Sequence, residues 1–107
     1  MSENDSDDVL IQDAARAVEL DAGPEWNPIK SAEDAEYLII ALLMLIKVND
    51  RHVHVLTEHQ DGTTADVLEC FEVDAGVDNH RDIVRRAITK CAATIYRRRH
   101  NDGDGQT

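Results

Sequence analysis

The run Tyr37-Leu38-Ile39-Ile40-Ala41-Leu42-Leu43-Met44-Leu45-Ile46 limits what this chain can fold into more than any other stretch. Ten residues of helix rise about 15 Å, half of the roughly 30 Å hydrocarbon layer of a bilayer. Glu33, Asp34 and Glu36 stand before the run, and Lys47, Asn49 and Asp50 follow it. It therefore reads as a core element and not a membrane span. Ser31 with Asp34 three residues later is a capping-box start, so the spacing predicts a helix over 32–48. Apolar on nearly every side, such a helix has to be covered from several directions.

The other elements follow from their punctuation. A first helix is expected over 9–22, capped by Asp7 or Asp8 and stopped by Gly23-Pro24, with Trp26 anchoring the linker behind it. Between Arg51 and Asp74 the residues alternate, and Asp61-Gly62 marks a two-residue turn, which together read as a β-hairpin. Taking residues 64–76 as helix instead gives the rival architecture, an all-α four-helix bundle. Asn79 with Asp82 opens a closing helix, along which Ile83, Val84, Ala87, Ile88, Cys91 and Ile95 recur at helical spacing. The expected fold class is α+β, a small single domain in the order helix, helix, β-hairpin, helix. Residues 9–100 supply that domain. The acidic N-terminus (1–8) and the C-terminal tail (101–107) are too polar to repay the entropy of ordering, and both are expected to be disordered.

The formal net charge of −11 is unevenly spread. Residues 1–78 carry 19 acids against 4 bases, whereas residues 79–100 carry one acid against seven bases. At 100° per residue Arg86, Lys90 and Arg97 line up on the solvent side of the closing helix and form a candidate basic patch. No aromatic residues interleave among them for base stacking, and the acidic remainder repels a polyanion, so nucleic acid is the second choice of partner. Two blander accounts compete with it. Cations near a helix C-terminus offset its free carbonyls, and eight arginines against three lysines with fourteen aspartates suit a salt-adapted composition.

Chemistry-bearing residues are few. His52 and His54 share a strand face, and with Asp61-Gly62 as the turn His54 lies opposite Glu69 and His52 opposite Phe71. With His59 or water as a fourth ligand this set approaches a zinc site, but no second motif closes it, and neither metal nor cofactor is expected. The same register puts Cys70 with Val53 and Val55 on the other face, away from both histidines. Cys70 and Cys91 sit among apolar residues without CxxC spacing, which fits reduced thiols. GxGxxG, GxxxxGK[ST] and GxSxG are all missing, so no catalytic residue is assigned and the protein is not expected to be an enzyme. No basic n-region precedes the first apolar cluster, Val9-Leu10-Ile11, so the expected location is cytoplasmic.

Demand for cover exceeds supply. One hairpin face, one stripe of the closing helix and an alanine-rich first helix have to enclose the apolar run, while the second hairpin face adds Leu56, Val67, Phe71 and Val73 as a candidate interface. Self-association is expected, most simply a two-fold homodimer. The function that fits is a small acidic, non-enzymatic interaction protein. It would serve as an adaptor, chaperone-like factor or inhibitor, acting through an oligomeric interface and an acidic surface that suits a basic protein partner. The alternative is a dimeric nucleic-acid-binding regulator that uses the closing helix.

Overall fold

A computed structural model describes residues 6–21, 23–58, 61–72 and 76–104, with side chains described up to residue 100. The expectations for residues 1–5, His59, Val73 and residues 105–107 lie outside these. The chain runs α1 (Asp7–Ala17), α2 (Ala32–Leu42), β1 (Leu45–Val48), β2 (His52–Glu58), β3 (Thr64–Cys70) and α3 (Val77–Asp104). The three strands form an antiparallel meander in the order β1-β2-β3. This is the α+β class with the expected order of helices and hairpin, plus one unforeseen strand. Strand structure through Cys70 rules out the four-helix bundle.

Each helix shows why it starts and stops where it does. Ser6, not Asp7 or Asp8, caps α1 by accepting from the Val9 amide, and the two aspartates fall in the first turn, where negative charge meets free amides. Helix α1 stops at Ala17, short of residue 22, because Glu19 turns left-handed (φ 55°) and Leu20 donates back to the Ala15 carbonyl at 2.9 Å. Ser31 caps α2 as expected, accepting from the Asp34 amide at 3.3 Å. The Asp34 carboxylate accepts instead from the Asn27 amide at 2.8 Å, which ties the linker to the helix.

The expected helix over 32–48 is cut at Leu42. Leu43 adopts φ 53° and ψ 51°, and the Met44 amide reaches back to the Ile39 carbonyl at 3.0 Å, a Schellman stop made without glycine. Residues 45–48 then turn into β1 and pair with β2, Leu45 opposite Leu56 and Val48 opposite Val53. Asn49 closes that hairpin. Its amide donates to the His52 carbonyl at 3.0 Å, and its side-chain oxygen accepts from the Arg51 and His52 amides at 2.7 and 2.9 Å.

The β2–β3 register is one residue from the expected one. Five residues, 59–63, separate Glu58 from its partner Thr64, where a two-residue turn at Asp61-Gly62 had implied a different pairing. With a side-chain period of two, that single step reverses every side chain on β3. Val67 and Ala65 therefore face inward with Val53 and Val55, while Asp66, Leu68 and Cys70 face out with the histidines. This arrangement keeps the Asp66 carboxylate in water and sends Glu69 to Lys90, while Leu68 is left exposed.

Helix α3 is the centre of the fold. It begins at Val77, ahead of the expected Asn79 cap, and continues four residues past His100. The inner face of the sheet packs on one side of it and α1 on another, with α2 alongside. Ala14 and Ala17 of α1 and Ala87 and Ala92 of α3 are buried, and such small side chains let the two helices approach closely. Leu38, Ile88, Ile95, Val53 and Val55 fill the remaining core. Phe71, expected on the open hairpin face, is buried in this cluster and stacks on His80 with ring centroids 4.1 Å apart.

Candidate interaction surface

The basic helix comes first, because six of its seven cations have partners within the chain. Arg86 reaches both carboxylate oxygens of Asp7, at 2.5 and 3.2 Å. Lys90 meets Glu69 at 2.7 Å, and the Arg97 Nε donates to Asp13 at 2.8 Å. The three residues of the candidate patch thus each face an acid of the same chain, from α1 or β3. Arg85 holds Asp82 and the Ile29 carbonyl, Arg98 the Thr64 carbonyl, and Arg99 the Ala17 carbonyl. The Arg86 hydrogen bond holds the Asp7 carboxyl below its usual range, and Asp7 in turn raises the Arg86 guanidinium; partial burial opposes both shifts. The concentration of bases on α3 is matched by acids on the elements packed around it.

On the outer face of the sheet, the corrected register brings His52 opposite Cys70 and His54 opposite Leu68, in place of Phe71 and Glu69. The separation of Cys70 from the histidines expected from sequence therefore does not hold. His54 Nε2 lies 3.0 Å from Asp66, and His52 Nε2 lies 3.4 Å from the Asn49 side-chain amide. Glu69 points inward to Lys90, so the imagined ligand set is split between two faces. Among the described residues no group of three His, Cys, Asp or Glu side chains converges as a metal site requires, and no helix is long and apolar enough to cross a membrane. Cys91 is enclosed, its sulfur 3.7 Å from the Ala65 carbonyl, and burial pushes its pKa up to about 12.

A groove of about 530 Å³ lies between α1 and the linker, walled by Ile11, Leu20, Pro24 and Trp26 with Asp8 and Asp21 among its polar residues. The single cation in its wall, Arg16, bridges to Asp13 at 3.6 Å and lies over the Tyr96 ring.

Among its described residues the apolar interface foreseen on the hairpin is dispersed: Phe71 is buried, Val67 packs partly against the core, and Leu56 remains on the outer face. Exposed apolar surface gathers elsewhere. Five of the eight large apolar residues exposed among the described ones fall within residues 37–48: Tyr37 (45%), Ile40 (64%), Leu43 (75%), Leu45 (55%) and Val48 (57%). Tyr37, Ile40, Leu43 and Leu45 lie at the corner formed by the end of α2 and the start of β1, and Val48 closes β1 on the other face of the sheet. Comparison with protein-family models, curated proteins and solved structures returned no match.

Leu43 is the unusual residue of this corner. A left-handed backbone costs a residue with a Cβ roughly 1–2 kcal/mol, and glycine is the normal occupant of this position in a helix stop. The chain carries leucine there and leaves it three-quarters exposed, so its side chain gains little intramolecular packing in return. Sequence reasoning missed these five residues because it assigned them to a helix interior. The alternation Ile46-Lys47-Val48 just before Asn49-Asp50 is the signal that a strand and turn follow.

Proposed function

We propose that this chain is a non-enzymatic interaction protein whose working surface is the α2–β1 corner. The observation that carries the reading is Leu43, a strained and exposed leucine where glycine would be cheaper, flanked in sequence by Ile40 and Leu45, which are also exposed. A local rule broken without an internal gain points to a role outside the monomer. Exposed apolar surface of this extent marks docking sites. Burying about three-quarters of a leucine yields roughly 1–2 kcal/mol, which repays the strain once a partner covers it. The acidic body keeps such a surface from nonspecific aggregation.

Nucleic-acid regulation is the weaker reading, since Arg86, Lys90 and Arg97 would have to leave Asp7, Glu69 and Asp13 to meet phosphate. Photo-crosslinking in the native cell tests the preferred reading. With p-benzoylphenylalanine in place of Leu43, a discrete protein adduct is expected, and the same probe at exposed Arg81 of α3 is expected to give none. Equal labelling from both positions, or none from Leu43, rejects the corner as a working surface.

A further inference from the structure

We propose that the occupant of the α2–β1 corner is a second copy of this chain, joined through antiparallel pairing of β1 with its counterpart to make a six-stranded sheet. This deepens the reading above and rests on it. Three observations select this occupant.

The first is the state of the two sheet edges. The Asn49 amide bonds to the His52 carbonyl, so hydrogen-bonded pairs on β1–β2 fall at residues 49, 47 and 45, and the backbone groups of Ile46 and Val48 point away from the sheet. No other described segment pairs with them. At the opposite edge, the Phe71 amide bonds to the Arg51 carbonyl, which turns the backbone of Thr64 outward on β3. There Arg98 caps the Thr64 carbonyl at 2.6 Å. The same pairing turns Asp66, Leu68 and Cys70 outward as well, so the β3 edge is hindered at the guanidinium and at the Asp66 charge, whereas the outward residues of β1, Ile46 and Val48, are both apolar.

The second is self-complementarity. Placing Ile46 on the two-fold axis pairs Met44 with Val48 of the other copy and Leu45 with Lys47 of the other copy. The lysine stem then lies over the leucine, and the two Lys47 ammonium groups do not face one another. A shift that sets Lys47 against its own copy juxtaposes like charges. A shift further along lays the polar Asn49-Asp50-Arg51 turn over the strand. In the Ile46-centred register the exposed Leu45 of each copy lies one residue from the axis, and Leu43 lies opposite Asn49 of the other copy at the end of the paired segment.

The third is area. Tyr37, Ile40, Leu43, Leu45 and Val48 together expose on the order of 400 Å² of apolar surface, half of the roughly 800 Å² that a standard interface takes from each partner. An interface is about half to two-thirds apolar, and because Leu45 and Val48 stand on opposite faces of β1, only a partner that pairs along the strand edge reaches both.

Sedimentation equilibrium of the full chain tests the proposal. Wild type is expected at twice the 12.0 kDa chain mass at micromolar concentration. Val48→Pro removes an outward amide that the monomer does not use, and is expected to raise the dimer dissociation constant at least tenfold with the far-ultraviolet circular dichroism unchanged. Because a proline variant can fail to fold, Ile46→Cys in a Cys70→Ser background gives an independent reading: mild oxidation is expected to link two copies, since facing Cα atoms in such a pair lie about 5.5 Å apart. A wild-type monomer throughout, an unaffected dimer in a folded Val48→Pro protein, or failure of Ile46→Cys to crosslink within a dimer overturns the proposal. If Leu43 photo-crosslinks only to a different protein, the interaction reading survives and the second copy does not.

Discussion

Replacing Leu43 with glycine should move two properties by unequal amounts. Glycine relieves the left-handed backbone at φ 53°, worth roughly 1–2 kcal/mol, and gives back roughly 0.5–1 kcal/mol through the greater freedom of the unfolded chain. The side chain is three-quarters exposed, so the packing lost within the monomer is about 0.5 kcal/mol. The balance lies between about 0.5 kcal/mol of destabilisation and about 1 kcal/mol of stabilisation, the upper end being a rise in Tm of roughly 4–8 °C for a domain of this size. Association loses roughly 1–2 kcal/mol for each leucine uncovered, so a two-fold dimer weakens by about 30-fold or more. Urea denaturation at concentrations below the dimer dissociation constant measures the first effect, and sedimentation equilibrium measures the second. A monomer destabilised by more than 1 kcal/mol means that Leu43 is held by internal packing. Undiminished association means that Leu43 takes no part in docking. Either result refutes the argument.

Three further expectations concern the rest of the fold. A double-mutant cycle on Asp13 and Arg97, with each residue changed to Ala and the stabilities measured in urea, should return a coupling of about 1–2 kcal/mol, above the range for exposed pairs because the Asp13 side chain is only 12% exposed; a coupling near zero would leave Arg97 available for other ligands. The folded-state carboxyl of Asp7 lies below its reference value of 3.8, so its contribution is in place above that pH and is lost as pH falls below it; the stability gap between wild type and Asp7→Asn should therefore hold steady from pH 7 to 5 and close on further acidification, and a gap that widened in acid would reverse the sign. Titration with a thiol reagent at pH 8 should find Cys70 reactive and Cys91 silent until the chain unfolds, because Cys91 is enclosed between α3 and the sheet with a pKa near 12; two fast thiols in the native protein would contradict that enclosure.

Local punctuation was legible where a side chain reports directly on the backbone beside it. Ser31 capped α2, Asp61-Gly62 placed the β2–β3 connection though not its register, and the apolar spacing of Ile88, Cys91 and Ile95 named the buried stripe of α3. The strand character of residues 64–70 could be read from alternation, which reflects a face buried every second residue. The candidate site was not legible in the same way. Leu43 carries no glycine to announce a helix stop, and the hairpin register depends on loop length, which a turn dipeptide does not determine.

The sequence by itself determined the fold class, the Ser31 cap and the uneven placement of charge, because each depends on neighbours a few residues away. Tertiary structure decided what those charges and apolar residues do. Only packing could bring Asp7 and Asp13 of α1 and Glu69 of β3 to Arg86, Arg97 and Lys90, since contacts across as many as 84 positions are made by whatever arrangement best buries the core between them. The same competition for burial turned Phe71 inward, set β1 beside β2 and left Ile40, Leu43 and Leu45 in water. A residue's face is assigned by the whole core at once, which no local window contains.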